Sequence, residues 1–189
     1  MTAIEPLPHA TPDDATLVSR ARDGDVRAYE QLVLRYQSLM FRLAWKMLND
    51  RPDAEDTVQK VFLTAWRRLP QLNDDAAFVG RLYRMTTDQC LNLIRSRRSR
   101  VDMDPDSTEP TRADTRPEHA VQVGTRLEAL NAALQDRLTP EQRVCWLLRE
   151  VHGLSYAAIG DIVEADTTAV RGRITRARAQ LSEVMKPWR

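Results

Sequence analysis

The chain has 189 residues, of which 42% are hydrophobic and 29% charged, and its net charge is +1. That length allows one medium domain or two small ones with a buried core. No run approaches the roughly 20 apolar residues a membrane helix needs, so no membrane insertion is expected. Cys90 and Cys145 are its two cysteines, too few and too far apart to imply a disulfide framework or a metal site.

Residues 1–10 contain Glu5 and proline breaks and lack a basic start followed by an apolar run. They read as a disordered N-terminus and not as a signal peptide, which points to a reducing cytoplasm. Glycine is scarce and no segment alternates apolar and polar residues for long, so the expected fold is all-α. Thr11-Pro12-Asp13-Asp14 reads as a helix start, with Thr11 as the capping hydroxyl. After Gly24, Tyr29, Leu32, Val33, Tyr36, Leu39, Met40, Leu43 and Met47 recur at helical spacing. Asn49-Asp50-Arg51-Pro52 ends that helix and opens another, carrying Val58, Val61, Phe62, Ala65, Trp66 and Leu69 on one face. Pro70 to Asp75 reads as a loop. A long helix then holds Phe78, Leu82, Met85, Leu91 and Ile94 and dissolves at Arg97 and Arg98.

Residues 101–119 have no periodicity and three prolines, and they read as a flexible acidic linker. A helix is expected near 120–137. In "LTPEQRVCWLLREVHG", Thr139 caps, Pro140 and Glu141 open the first turn, and Gly153 stops the helix. Two more helices lie in "LSYAAIGDIVEADTTAVRGRITRARAQL", with a bend near Glu164 to Asp166. The organisation is therefore two small helical domains, 11–100 and 120–189, joined by the 101–119 tether.

Whole-chain charge hides a strong local pattern. Residues 81–100 carry six arginines against Asp88 alone, a sum of +5. Residues 167–180 carry Arg171, Arg173, Arg176 and Arg178 with no acid, while 101–120 sums to −4. Two basic patches around an acidic tether point to nucleic acid. In the closing helices Ile159, Ile162, Val170, Ile174 and Leu181 form matching inward stripes. Arg171, Thr175, Arg176 and Arg178 must then face outward, as in a helix-turn-helix whose second helix enters the major groove. Arginine serves there as a phosphate charge or as a bidentate fork for guanine. The alternative is a solvated basic face, although such faces usually mix charge signs.

"LTPEQRVCWLLREVHGLSYAAIGDIVEADTTAVRGRITRARAQL" resembles the C-terminal domain of extracytoplasmic function sigma factors, subunits of the sigma-70 family. "DAEDTVQKVFLTAWRRL" resembles the family's acidic amphipathic segment, and "AFVGRLYRMTTDQCLNLIRSRRSR" its promoter-melting helix. The resemblance implies an alternative sigma factor in which a first domain (sigma domain 2) docks on the clamp helices of core RNA polymerase and opens the −10 element. The last domain (sigma domain 4) holds the polymerase flap and reads the −35 element. It implies a polymerase-docking surface of Asp53, Glu55, Asp56, Gln59 and Phe62. From the residues alone those acids could equally complement a helix N-terminus, and Phe62 could be core.

Cations and a ring for unpaired bases would come from Arg81, Tyr83, Arg84, Arg95, Arg97 and Arg98, with Asp88 and Asn92 beside them. The loop from Leu72 to Ala76 corresponds to the one that accepts a flipped base. For the −35 element the resemblance implies Arg171, Thr175 and Arg176 as readers and Arg173 and Arg178 on phosphates. The acidic linker corresponds to the segment that threads the RNA exit path, and a plain solvated spacer fits its composition as well. The sequence departs from the family's habit at Lys60, Arg81, Asp88, Glu164 and Thr175. An inhibitory anti-sigma protein is a further implied partner. No cofactor, metal or catalytic residue is expected: His9, His119 and His152 stand in unrelated contexts that suit surface positions, and no nucleophile has a base at sensible spacing. A free-standing repressor would leave 53–98 without a task, and an adaptor would not explain the arginine clusters.

Overall fold

A computed structural model describes residues 12–103 and 123–186, and every regular element among them is helical. Eight α-helices occur there: α1 (Asp14–Arg22), α2 (Val26–Leu48), α3 (Arg51–Arg68), α4 (Phe78–Met103), α5 (Val123–Asp136), α6 (Pro140–Glu150), α7 (Tyr156–Val163) and α8 (Thr167–Val184). The N-terminal segment, most of the acidic tether, His9 and His119 lie outside the described residues.

Short polar side chains start these helices by accepting from otherwise orphaned N–H groups. Asp25 receives the N–H of Ala28, Asp50 that of Asp53, Ser155 that of Ala158 and Asp166 that of Ala169. Thr139 and Gln142 form a reciprocal capping box at α6. The first helix corrects the expected start: Asp13, not Thr11, is its cap, accepting from Thr16 N–H at 2.7 Å. A carboxylate next to the first turn also meets the helix dipole better than a hydroxyl two residues earlier.

Helix α2 is the axis of the first half and packs against α1, α3 and α4. Leu32, Met40, Leu43 and Met47 are fully buried along its inner stripe, facing Leu17, Val61, Phe78 and Leu82. Burying each such side chain contributes about 1.5–3 kcal/mol. Two short 3-10 turns, Leu69–Gln71 and Asp75–Ala77, occupy the loop between α3 and α4. Arg22 ties this loop to α1, donating to Leu72 O at 2.8 Å and to Asp75 at 2.7 Å. Helix α4 does not dissolve at Arg97 and Arg98 but continues to Met103. Arg97 explains part of that extension, because it reaches back to Asp53 and, at 3.5 Å, to Asp50.

In the second half α8 packs on α5, α6 and α7. Ile159, Ile162, Val170, Ile174 and Leu181 are all buried there, as their spacing requires. The α7–α8 turn passes through Glu164 in the left-handed region, at φ 50°. Gly160 admits the turn because a Cβ at that position would lie 2.6 Å from Ala165 O.

The two halves pack together, α5 and α6 against α2, and α6 and α7 against α4. The carbonyls that end α2 have no partner within their helix. The second half supplies partners: Gln135 donates its amide to Lys46 O at 2.9 Å, and Arg143 donates to Met47 O at 2.7 Å. The guanidinium of Arg143 also serves Leu134 O at 2.7 Å and Gln135 O at 2.9 Å, at the end of α5. One cation thus caps two helix C-termini, where the dipole favours positive charge.

Candidate nucleic-acid interface

Helix α8 buries Val170, Ile174, Ala177 and Leu181, a stripe at spacings of four, three and four residues. The opposite face carries Arg171, Thr175, Arg176 and Arg178, all exposed. They are differently engaged. Arg171 lies over the Tyr156 ring at 5.3 Å, and Arg149 lies over the same ring at 4.8 Å. Arg178 is paired with Glu150, its Nε donating at 3.0 Å. For Arg176 and Thr175 no side-chain hydrogen bond or ion pair is found among the described residues. Arg173 turns inward and is half-buried, with Nη1 4.0 Å from Cys145 Sγ.

Helix α4 presents a second basic stripe. Arg81, Asp88, Asn92, Arg95 and Arg98 are exposed, and from Arg81 to Arg98 the stripe runs about 26 Å at 1.5 Å per residue. Arg95 donates to the Asn92 amide oxygen at 3.3 Å. Desolvation raises the pKa of the Asp88 carboxyl, and Arg84 and Arg95 oppose that rise. An acid between two arginines can accept a base amino group while the arginines hold the backbone. Three candidates of this stripe do not stand free. Arg97 braces α3 through Asp53, Arg84 is paired with Glu164, and Tyr83 is buried with its hydroxyl 3.0 Å from His152 Nδ1. Arg97 and Asp53, read from sequence as members of two separate surfaces, are partners of one another.

The third feature is a groove of about 930 Å³ between α2 and α3. Phe41, Trp45, Leu63 and Trp66 line it, and Trp45 and Leu63 are 39% and 51% exposed. Glu55, Gln59 and Phe62 belong to its α3 wall. Phe62 is itself 7% exposed, so it supports the wall more than it projects from it. Glu55 pairs with Arg51 at 2.9 Å across one turn. Asp56 is exposed on α3, and Asp53 is spent on Arg97.

His152 corrects the surface reading: it is half-buried between the two halves, edge-on to Tyr83 at 5.3 Å between ring centroids. Sequence reasoning also missed Arg143, 4% exposed despite its charge. The partners that join them to the other half lie 69 and 96 positions away, beyond any local signal. Among the described residues no group of three or more His, Cys, Asp or Glu side chains could hold a metal. Burial pushes the Cys90 thiol up to about 12, so it stays protonated at neutral pH.

The sigma-70 region 2 family model matches residues 32–100, and the model for sigma-70 region 4 matches residues 128–181. The RNA polymerase sigma-H factor of Pseudomonas aeruginosa is 31% identical over 187 residues, covering 92% of this chain and 94% of that protein. The chain belongs to the sigma-70 family, as an extracytoplasmic function sigma factor. The sigma-E factor of Escherichia coli K12 is 30% identical over 183 residues, with 92% and 95% of the two chains covered. Among solved structures, CnrH in complex with the cytosolic domain of CnrY matches with a TM-score of 0.70 and 27% identity, over 92% of this chain and 97% of that one. A second, the Bartonella quintana sigma factor RpoE with the anti-sigma factor NepR, has a TM-score of 0.71 and 21% identity, a likeness of fold. As a sigma factor the protein directs RNA polymerase to promoters, and its two matched regions are the two halves described above.

Proposed function

We propose that the groove between α2 and α3 is the polymerase-docking surface of this sigma factor, with Glu55 and Gln59 on its α3 wall, Phe62 behind them and Asp56 exposed beside it on α3. The −10 strand lies along α4 on Arg81, Asp88, Asn92, Arg95 and Arg98. The −35 element is read by Arg171, Thr175 and Arg176 of α8. The protein acts in the cytoplasm as a non-enzymatic subunit of the polymerase. One observation carries the reading: two exposed arginine stripes, on α4 and α8, accompany an apolar groove that neither stripe borders. Exposed aromatic and aliphatic groups in a concave surface suit a protein partner, whereas the stripes suit phosphates.

An anti-sigma protein is the second partner of the same groove. Support comes from the CnrH relative, which was captured with the cytosolic domain of CnrY. Reconstitution with core polymerase and a promoter library tests the scheme. The wild type yields specific run-off transcripts, Asp56→Arg and Leu63→Glu reduce assembly with core, and Arg95→Ala reduces promoter opening after normal assembly. Assembly unaffected by either groove variant would move the docking surface elsewhere.

A further inference from the structure

We propose that Arg97 is a positioning residue for polymerase docking, which from α4 fixes the corner where α2 gives way to α3 and so braces the groove between them. This rests on that groove being the docking surface. The family resemblance implies Arg97 as a strand-binding cation and Asp53 as a docking acid. Their pairing gives both a task at the corner instead.

Helix α2 ends at Leu48 and α3 begins at Arg51, so Asn49 and Asp50 alone make the corner. Asn49 takes the left-handed conformation there, at φ 51°, and Asp50 caps α3 by accepting the N–H of Asp53 at 2.9 Å. The guanidinium of Arg97 meets every part of this turn. Its Nη1 donates to Leu48 O at 3.5 Å, at the carbonyl end of α2. Its Nη2 is paired with Asp53 and stands 3.5 Å from Asp50 Oδ2. A cation is favoured beside the last carbonyls of a helix. It also keeps the two carboxylates from repelling each other across a single turn.

The corner carries one end of the groove. Trp45 lies just before it, Arg51 and Glu55 follow it, and all three line the groove. At the far end Tyr29 ties the two helices directly. Its ring is 4.7 Å from that of Trp66, and its hydroxyl donates to Phe62 O at 2.6 Å. At the corner end a tie comes from a third helix, through Arg97 of α4. Arg97 lies outside the groove lining, so it acts by holding the walls and not by touching the partner. A site already held in its bound shape binds without the cost of ordering it. With its guanidinium engaged at the corner, Arg97 leaves the strand to the exposed Arg95 and Arg98.

Run-off transcription, with core polymerase fixed at low concentration and the full-length sigma factor titrated, separates docking from strand binding. The sigma concentration at half-maximal transcription reads docking, and the plateau reads the steps after assembly. Arg97→Ala should raise the half-maximal concentration about fivefold or more, through the ordering cost it restores, and keep the wild-type plateau. Asp53→Asn keeps the shape of its side chain, should give the same shift, and serves if Arg97→Ala folds poorly. The double variant should be no worse than either single one, because the same contact is lost in all three. Arg97→Lys keeps the charge without the fork and should recover part of the shift. A lowered plateau at an unchanged midpoint, as expected for Arg95→Ala, would make Arg97 a strand contact and overturn the brace. Additive shifts from Arg97→Ala and Asp53→Asn would overturn it too. Leu63→Glu tells the two readings apart. If it raises the midpoint while the Arg97 and Asp53 variants match wild type, the groove docks polymerase and the brace is wrong. If it leaves the midpoint unchanged, the docking surface lies elsewhere and the brace falls with it.

Discussion

Replacing Arg143 with methionine keeps an apolar stem and removes the guanidinium fork that caps two helices. Three main-chain carbonyls, Met47 at 2.7 Å, Leu134 at 2.7 Å and Gln135 at 2.9 Å, then lose a charged donor. Hydrogen bonds to a charged group each contribute about 1.5–3 kcal/mol, so the gross loss is roughly 4.5–9 kcal/mol. Against it stands the guanidinium's desolvation, an effective cost of several kcal/mol. That cost is visible in a pKa lowered to about 10, by burial first and then by Arg98. The net expectation is a loss of about 2–4 kcal/mol, or a fall in Tm of roughly 5–12 °C for a chain of this size. Differential scanning calorimetry measures the fall, and hydrogen exchange locates it at the C-terminal turns of α2 and α5. Arg143→Lys keeps the charge but not the planar fork, and should recover only part of the loss. A Tm within about 1 °C of wild type, or unchanged protection at both helix ends, would refute the capping argument.

Arg176→Ala should weaken promoter binding by about 1–3 kcal/mol and relax preference at one −35 position. An equal loss on all sequences in holoenzyme footprinting would make it a phosphate contact instead. Gly160→Ala should destabilise the second half, because its Cβ would meet Ala165 O at 2.6 Å, and thermal melting reads the effect. The His152 imidazole is lowered from 6.5 to about 4, by burial first and then by Arg42. The unfolded chain therefore binds its proton more readily than the folded one. Stability from this group is present above pH 6.5 and is lost as pH falls from there toward 4. Denaturant midpoints measured across that window should show the loss, and His152→Gln should remove that part of the pH dependence.

Most of the fold was legible because its signals are local. The spacing of Val170, Ile174 and Leu181 specifies which face of α8 is buried, and the Thr139–Gln142 pair marks where α6 begins. The outward arginines of α8 followed from the same period. The failures share a different cause. Thr11 was the wrong cap because two acids downstream offered a better match to the helix dipole. Arg97 was counted with the DNA-facing cations because charge in a sequence carries no direction, and Asp53 lies 44 positions away. His152 looked like a surface residue because its neighbours in sequence are not its neighbours in space, and Tyr83 lies 69 positions away.

By itself, then, the sequence determined an all-helical chain of two halves, the apolar stripes that face inward, and the two arginine stripes that identify its partners. Periodicity and capping suffice for these, since they depend on residues within a few turns. Only the tertiary structure decided which charges remain free. Packing α5 and α6 on α2 leaves carbonyls needing a donor, and Arg143 is drawn inward to serve them; Arg97 is held by the acids that open α3, and Arg84 by Glu164. Arg176, Arg95 and Arg81, with no such call upon them, stay exposed.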